Sequence, residues 1–373
     1  MKGVVQIVAV ILAGATLLPA RGAEEAPPKV QIALLLDTSN SMDGLIAQAK
    51  SELWRIVNEF ATAKRAGVRP EFEVALYEYG NNGLAQETGW VRQVAPLTTD
   101  LDKVSEALFA LKTNGGQEYC GQVIRAATEQ LAWSASGRDY RAVFIAGNEP
   151  FTQGPADFRE ACRAAIARGI LVNTIFCGPE AEGVRTNWKD GALLADGSFM
   201  HIDQNRTTVD VPTPQDGEIA RLGEELSRTY IAYGAEGRAG QERQLRQEEN
   251  ARSASRGSYV QRQVSKATAF YKNEAWDLVD ATKQGQVKLE EVKEKDLPEE
   301  MQKMSLEERK AFVAKNAAKR AALQDQVQKL NEQRKQFVAE QMKKQATAST
   351  DTLQTAVIKA VREQAGRKDF KFE

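Results

Sequence analysis

Asp37, Ser39 and Ser41 place one carboxylate and two hydroxyls within five positions of a 373-residue chain. Oxygen donors of this kind suit Mg²⁺, Mn²⁺ or Ca²⁺ and suit zinc or copper poorly. Directly before them, residues 30–36 are apolar except for Gln31, the pattern of a parallel strand covered on both faces. The three donors therefore fall at the carboxyl end of a buried strand, where open α/β sheets bind their ligands. The competing reading is a polar loop in which Asp37 and the serines cap the next helix and bond neighbouring backbone.

Other chemistries find little material. His201 is the only histidine, so a Ser-His-Asp or Cys-His arrangement would have to be built around it. A satisfied or surface histidine is the better expectation, because no partner for a base is visible. The chain has no phosphate-binding G-x-x-x-x-G-K-[ST] run and no Cys/His zinc spacing. A thiol enzyme using Cys177 or Cys120 would lack a base, and the chain is read as non-enzymatic. Trp54, Trp90, Trp133, Trp188 and Trp276 are expected to fill cores and helix seams. Cys120, Cys162 and Cys177 allow one disulfide and one remaining thiol, or three buried small hydrophobes, and sequence does not select the pairing. Lys and Arg total 50 against 51 Asp and Glu, which argues against a general nucleic-acid binder while leaving a local basic patch open.

The elements that must position the donors follow in alternation. Leu45, Ala49, Leu53, Ile56, Val57 and Phe60 recur at helical spacing. Residues 72–79 alternate as a strand, Gly80-Asn81-Asn82-Gly83 is a turn, and 91–94 reads as a short edge strand. Thr99 or Asp100 caps a helix through 111, and a second helix is expected at 118–133. Strands at 140–146, 170–176 and 198–202 and helices at 155–168, 188–195 and 216–230 complete the pattern. This order predicts a Rossmann-like, doubly wound, mainly parallel sheet with helices on both faces.

The run Asp37-Thr38-Ser39-Asn40-Ser41, with the Gly-Gly loop at 115–116 and the late L-x-x-A-D-G-S-F-x-x-I segment, resembles the von Willebrand factor A (VWA) family and its metal-ion-dependent adhesion site. The resemblance implies a domain at 29–230 that binds protein partners through Mg²⁺ or Mn²⁺, with one metal position open to an acidic ligand. It also implies a Thr from a second loop and an Asp from a third. Here the second loop is 115–118, with Gln117 or Glu118 near the Thr position. The third is 146–149, where the usual T-D-G has become A-G-N. The implied ligand set is thus Asp37, Ser39 and Ser41, completed by Asn148, Glu118 or Glu149 directly or through water. A directly bound Glu118 would close the open position.

At the start, Lys2, an apolar run over 4–18 and a small-residue exit read as a signal peptide at 1–23, cleaved after Ala20 or Ala23. The expected location is periplasmic or secreted, with no membrane span after that removal. Beyond Gly234 strand patterns vanish, and 236–373 reads as a helical, partly coiled-coil region open to self-association. Val260, Val264, Ala267, Tyr271, Ala275 and Leu278 form one helical seam. A capping box at Ser305 opens a helix to about 345, with Leu323, Val327, Leu330 and Phe337 as its heptad and Arg334 as a break. A third helix is expected near 351–363. The leading reading is an exported protein-binding or adhesion module, and the alternative is a scaffold working through its helices with a vestigial metal site.

Overall fold

The computed structural model describes residues 26–205, 210–345 and 352–372. The expected signal peptide lies outside the described residues, and no described helix is long and apolar enough to cross a membrane. In chain order the first part holds β1 (Lys29–Asp37), α1 (Asp43–Phe60), β2 (Ala63–Arg65), β3 (Glu71–Tyr79), β4 (Val91–Thr98), α2 (Leu101–Ala110), α3 (Cys120–Gln130) and β5 (Tyr140–Gly147). It continues through α4 (Phe158–Ala167), β6 (Leu171–Cys177), α5 (Glu180–Arg185), α6 (Trp188–Leu193), β7 (Phe199–Ile202) and α7 (Asp216–Ser227).

Six of these strands form one sheet in the order β4-β3-β1-β5-β6-β7. Only the edge pair β3–β4 is antiparallel. Alternation along β1 divides its side chains between two cores. Ile32, Leu34 and Leu36 pack with Leu45, Leu53 and Phe60 of α1, while Ala33 and Leu35 pack with Val123 and Ile124 of α3 and with Phe158 of α4. Each fully buried Leu or Ile contributes about 1.5–3 kcal/mol, so a shift of β1 by one residue would forfeit both faces together. Asp100 caps α2, its carboxylate accepting the Lys103 N–H at 3.1 Å.

Beyond Gly234 come α8 (Gly237–Ala254), α9 (Arg256–Lys266), α10 (Leu278–Lys283), α11 (Glu299–Gln302), α12 (Leu306–Gln345), α13 (Leu353–Gly366) and β8 (Phe370–Phe372). The expected single seam over 260–278 is interrupted. Val260 and Val264 lie in α9, whereas 267–277 is irregular. Asp277 sets where the helix resumes: its carboxylate accepts the Ile231 N–H at 2.7 Å and caps α10 through the Asp280 N–H at 2.9 Å. The long helix starts as expected. Ser305 Oγ accepts the Glu308 N–H, and Glu308 Oε2 accepts the Ser305 N–H at 2.7 Å. Its 40 residues reach about 60 Å.

Leu323 and Val327 of α12 pack against Ile219 and Leu222 of α7 and Val260 of α9. Arg334, read as a break in the heptad, is buried and donates to Asp216 at 2.9 Å. The composition change near 234 is real, yet packing crosses it. Leu353, Val357, Val361 and Phe370 share the core of the first sheet face, and β8 pairs with β2. Strands therefore do not vanish after 234: β8 is a correction to that expectation, a three-residue pairing too short to leave a period-2 pattern.

Candidate functional site at the carboxyl end of the sheet

Asp37 is the last residue of β1 and is fully buried. Its Oδ1 accepts the Ser39 N–H at 2.8 Å, whereas Oδ2 is buried without a hydrogen-bond partner. The loop that follows is fixed by the end of β3 and by the segment between α2 and α3: Thr38 N–H donates to the Tyr79 carbonyl and its own carbonyl accepts the Asn114 N–H, both at 2.9 Å. Ser39 Oγ and Ser41 Oγ lie 3.2 Å apart, and Ser41 Oγ is 3.4 Å from Asn148 Oδ1. The first loop and the third thus meet at Ser41 and Asn148.

Glu118 brings in the second loop. It is buried, and its N–H donates to Gln153 Oε1 at 2.5 Å. Burial, opposed by bonds from Ser39 and reinforced by the charges of Glu118 and Glu149, pushes Asp37 up to about 7. Burial and the Glu149 charge likewise push Glu118 up to about 7. Glu149 acts on the site through its charge, while its backbone carbonyl accepts the Trp188 indole N–H at 2.8 Å. Gln117 is exposed, so Glu118 is the second-loop residue turned towards Asp37.

Two glycines make this crowding sterically feasible, Gly147 of the third loop and Gly80, which sequence reasoning did not assign to the site. Gly80 has φ +78°, and a Cβ there would stand 2.8 Å from Glu118 Cγ and 2.9 Å from Asp37 Oδ1. A Cβ on Gly147 would stand 2.5 Å from the Tyr79 hydroxyl and 3.0 Å from Asp37 Oδ2. Gly80 was legible only as turn chemistry, and Gln153 carried no signal at all. Tyr79, whose hydroxyl donates to the Ala146 carbonyl at 3.0 Å, read as an ordinary strand residue.

The donor chemistry fits a hard divalent cation. A buried carboxylate oxygen lacking a partner costs free energy, and two hydroxyls, an amide oxygen and a second carboxylate stand around it. The described residues nevertheless contain no group of three or more His, Cys, Asp or Glu placed to hold an ion. Any coordination would therefore lean on neutral oxygens and water around Asp37.

The cysteines are free and buried. Cys120 and Cys162 share the core on one face of the sheet, and Cys177 lies in the core on the other. Cys120 Sγ lies 3.9 Å from the Tyr79 hydroxyl, and burial pushes the Cys162 thiol up to about 12 and the Cys177 thiol higher still. His201 is part-exposed, with Nε2 3.9 Å from Glu180. Trp54, Trp188 and Trp276 are buried as expected, while Trp133 and Trp90 are half-buried, Trp90 meeting Tyr119 edge-on.

Residues 31–187 match the family model of the von Willebrand factor type A domain. That segment is a VWA domain, carried on a mostly parallel sheet and followed by a helical region. No curated protein matches the chain by sequence. Among solved structures, the conserved hypothetical protein BatB from Bacteroides thetaiotaomicron is 18% identical, covering 47% of this chain and 90% of its own, with a TM-score of 0.35. Proximal thread matrix protein 1 from the mussel byssus, with a zinc-occupied MIDAS motif, is 13% identical over 47% of this chain and 42% of its own, at 0.36. The pilus adhesin SpaC from Lactobacillus rhamnosus GG is 14% identical over 48% of this chain and 28% of its own, at 0.35.

Proposed function

We propose that this chain is a non-enzymatic protein-binding module that grips a carboxylate of its partner through a divalent cation at the carboxyl end of its sheet. The observation that carries the reading is Asp37 Oδ2, buried without a partner beside the Ser39 and Ser41 hydroxyls. Mg²⁺ or Mn²⁺ held there would supply a positive charge able to take one acidic ligand from outside. Asp37 provides the anionic ligand, Ser39 and Ser41 the hydroxyls, and Asn148, Glu118 or Glu149 the remainder, directly or through water. We place the protein in the periplasm or outside the cell, with residues 236–373 framing the domain and offering a surface for assembly, self-association included.

A scaffold reading has one specific observation in its favour: no three-acid group stands ready for an ion among the described residues. Affinity capture by the purified chain from an envelope extract, in Mg²⁺ and in chelator, separates the two. Partner capture that requires the cation and is lost in Asp37→Ala supports the module. Capture indifferent to both supports the scaffold.

A further inference from the structure

A second polar cleft lies at the opposite end of the sheet from Asp37, at the amino ends of β5 and β6. It has a volume of about 440 Å³ and is lined by Trp133, Ser134, Arg141, Arg168 and Gly169, among others. Arg141 is 8% exposed. One of its terminal nitrogens, Nη1, donates to the Ser134 carbonyl, but Nε is buried with no acceptor. Gly169 has φ +70°, and a Cβ there would stand 2.7 Å from Arg141 Nη2. A glycine at this turn thus leaves the room that the guanidinium occupies.

The surrounding charge is unbalanced. Arg168 is exposed beside Arg141, its Nη1 engaged with the Thr128 carbonyl. Lys368, after α13, holds the Gly137 carbonyl at 3.1 Å and lies within electrostatic reach of Arg141. Burial and Arg168 push Arg141 below its ordinary value, and burial with Arg141 and Arg65 does the same to Lys368. Asp139 is the acid that acts on both, but its Oδ1 accepts the Lys29 N–H and its Oδ2 the Ser134 hydroxyl. Among the described residues neither arginine belongs to an ion pair. The charged residues that line the cleft are Arg141 and Arg168, and they place two positive charges there.

A buried guanidinium with an unmade donor and a cationic neighbour is costly, and an oxyanion cancels both costs through charge-assisted bonds. Paired guanidiniums favour phosphate because their planar forks match its oxygens, and the excess of two positive charges matches a dianion. Trp133, half-buried on the cleft wall, offers an aromatic surface to whatever carries the phosphate. We propose that this cleft binds a phosphate group, free or as the ester of a small molecule, through Arg141 and Arg168 and independently of the Asp37 site.

The test is isothermal titration of the full chain with inorganic phosphate and with phenyl phosphate, in chelator and at ionic strength fixed with sodium chloride. Saturable one-to-one binding is expected, weakened about tenfold or more by Arg168→Glu and by Arg141→Lys, which keeps the charge but removes the fork. Tighter phenyl phosphate binding would identify an ester as the ligand, and equal binding the free anion. Absence of saturable heat from either probe, or an unchanged affinity in Arg168→Glu, overturns the proposal. Should Arg141→Lys fail to fold, Arg168→Glu decides alone because its side chain is exposed.

Discussion

Gln364, near the end of the last helix, and Asn173, in the middle of β6, are 191 positions apart and exchange amide hydrogen bonds inside the core. Gln364 Nε2 donates to Asn173 Oδ1 at 2.6 Å, Asn173 Nδ2 donates back to Gln364 Oε1 at 3.2 Å, and the Tyr140 hydroxyl donates to the same oxygen at 2.8 Å. The final helix is thereby tied to two strands of the sheet by polar groups that water does not reach. Gln364→Ala takes the acceptor from the buried Tyr140 hydroxyl and leaves Asn173 with the Ser198 N–H at 2.9 Å and a 3.5 Å contact to the Val143 carbonyl, and is expected to cost about 1–3 kcal/mol. Denaturant unfolding measures it, and a midpoint equal to wild type would show that α13 is not held as described.

A second polar tie joins the helical region to the domain. Arg262 is fully buried in α9 and donates to Asp102 of α2 at 2.6 Å, while Tyr271 donates to the same carboxylate, also at 2.6 Å. Removing one partner leaves an uncompensated buried charge, so Arg262→Met is expected to destabilise by about 3–5 kcal/mol. Replacing both, Arg262→Met with Asp102→Leu, should recover much of that loss. Thermal unfolding of the single and double variants tests the pairing; equal losses in the two would assign the effect to packing alone.

These two ties also mark where sequence reading stops. The near-continuous apolar run at 30–36 and the oxygen donors after it were enough to place β1 and the first loop, because both depend on neighbours in sequence. In α9 the seam residues Val260 and Val264 were legible, but Gly257 through Lys266 is buried all round, charged residues included. Its charges are compensated by Asp102 and Glu248, which lie in other helices. The coming together of Glu118 with Asp37 was expected from the family resemblance. The glycines that leave room for it are defined only by three-dimensional proximity.

Proton binding at Asp37 gives a pH signature. Its folded value of about 7 lies above the ordinary carboxylate value, as burial and the charges of Glu118 and Glu149 outweigh the bonds from Ser39. The folded state therefore holds this proton more tightly than the unfolded chain, and the associated stability is present below about pH 4 and lost as pH rises to about 7. In chelator, wild type should lose stability over that range more steeply than Asp37→Asn, and Mg²⁺ should flatten the difference by taking the place of the proton. Guanidinium unfolding at several pH values reads both effects. Identical slopes in the two proteins would mean that Asp37 titrates normally.

The cation itself is the last expectation, and it follows from an intact first loop set against altered partners. Asp37 is the one charged group within the D-x-S-x-S run, so Asp37→Ala should abolish binding of Mg²⁺ and Mn²⁺. Ser39→Ala should weaken it less, since a neutral hydroxyl attracts a cation less strongly than a carboxylate does. Asn148 sits against Ser41, and Asn148→Asp would supply a second anionic oxygen there. That variant should tighten binding unless Glu118 or Glu149 already fills the role, in which case added repulsion weakens it and Glu118→Gln should then lower affinity in the wild-type background. Calorimetry with each ion on these variants distinguishes the outcomes. No heat from either ion with wild type, together with unchanged folding of Asp37→Ala, would leave the loop as a vestige and the helices as the working part of the protein.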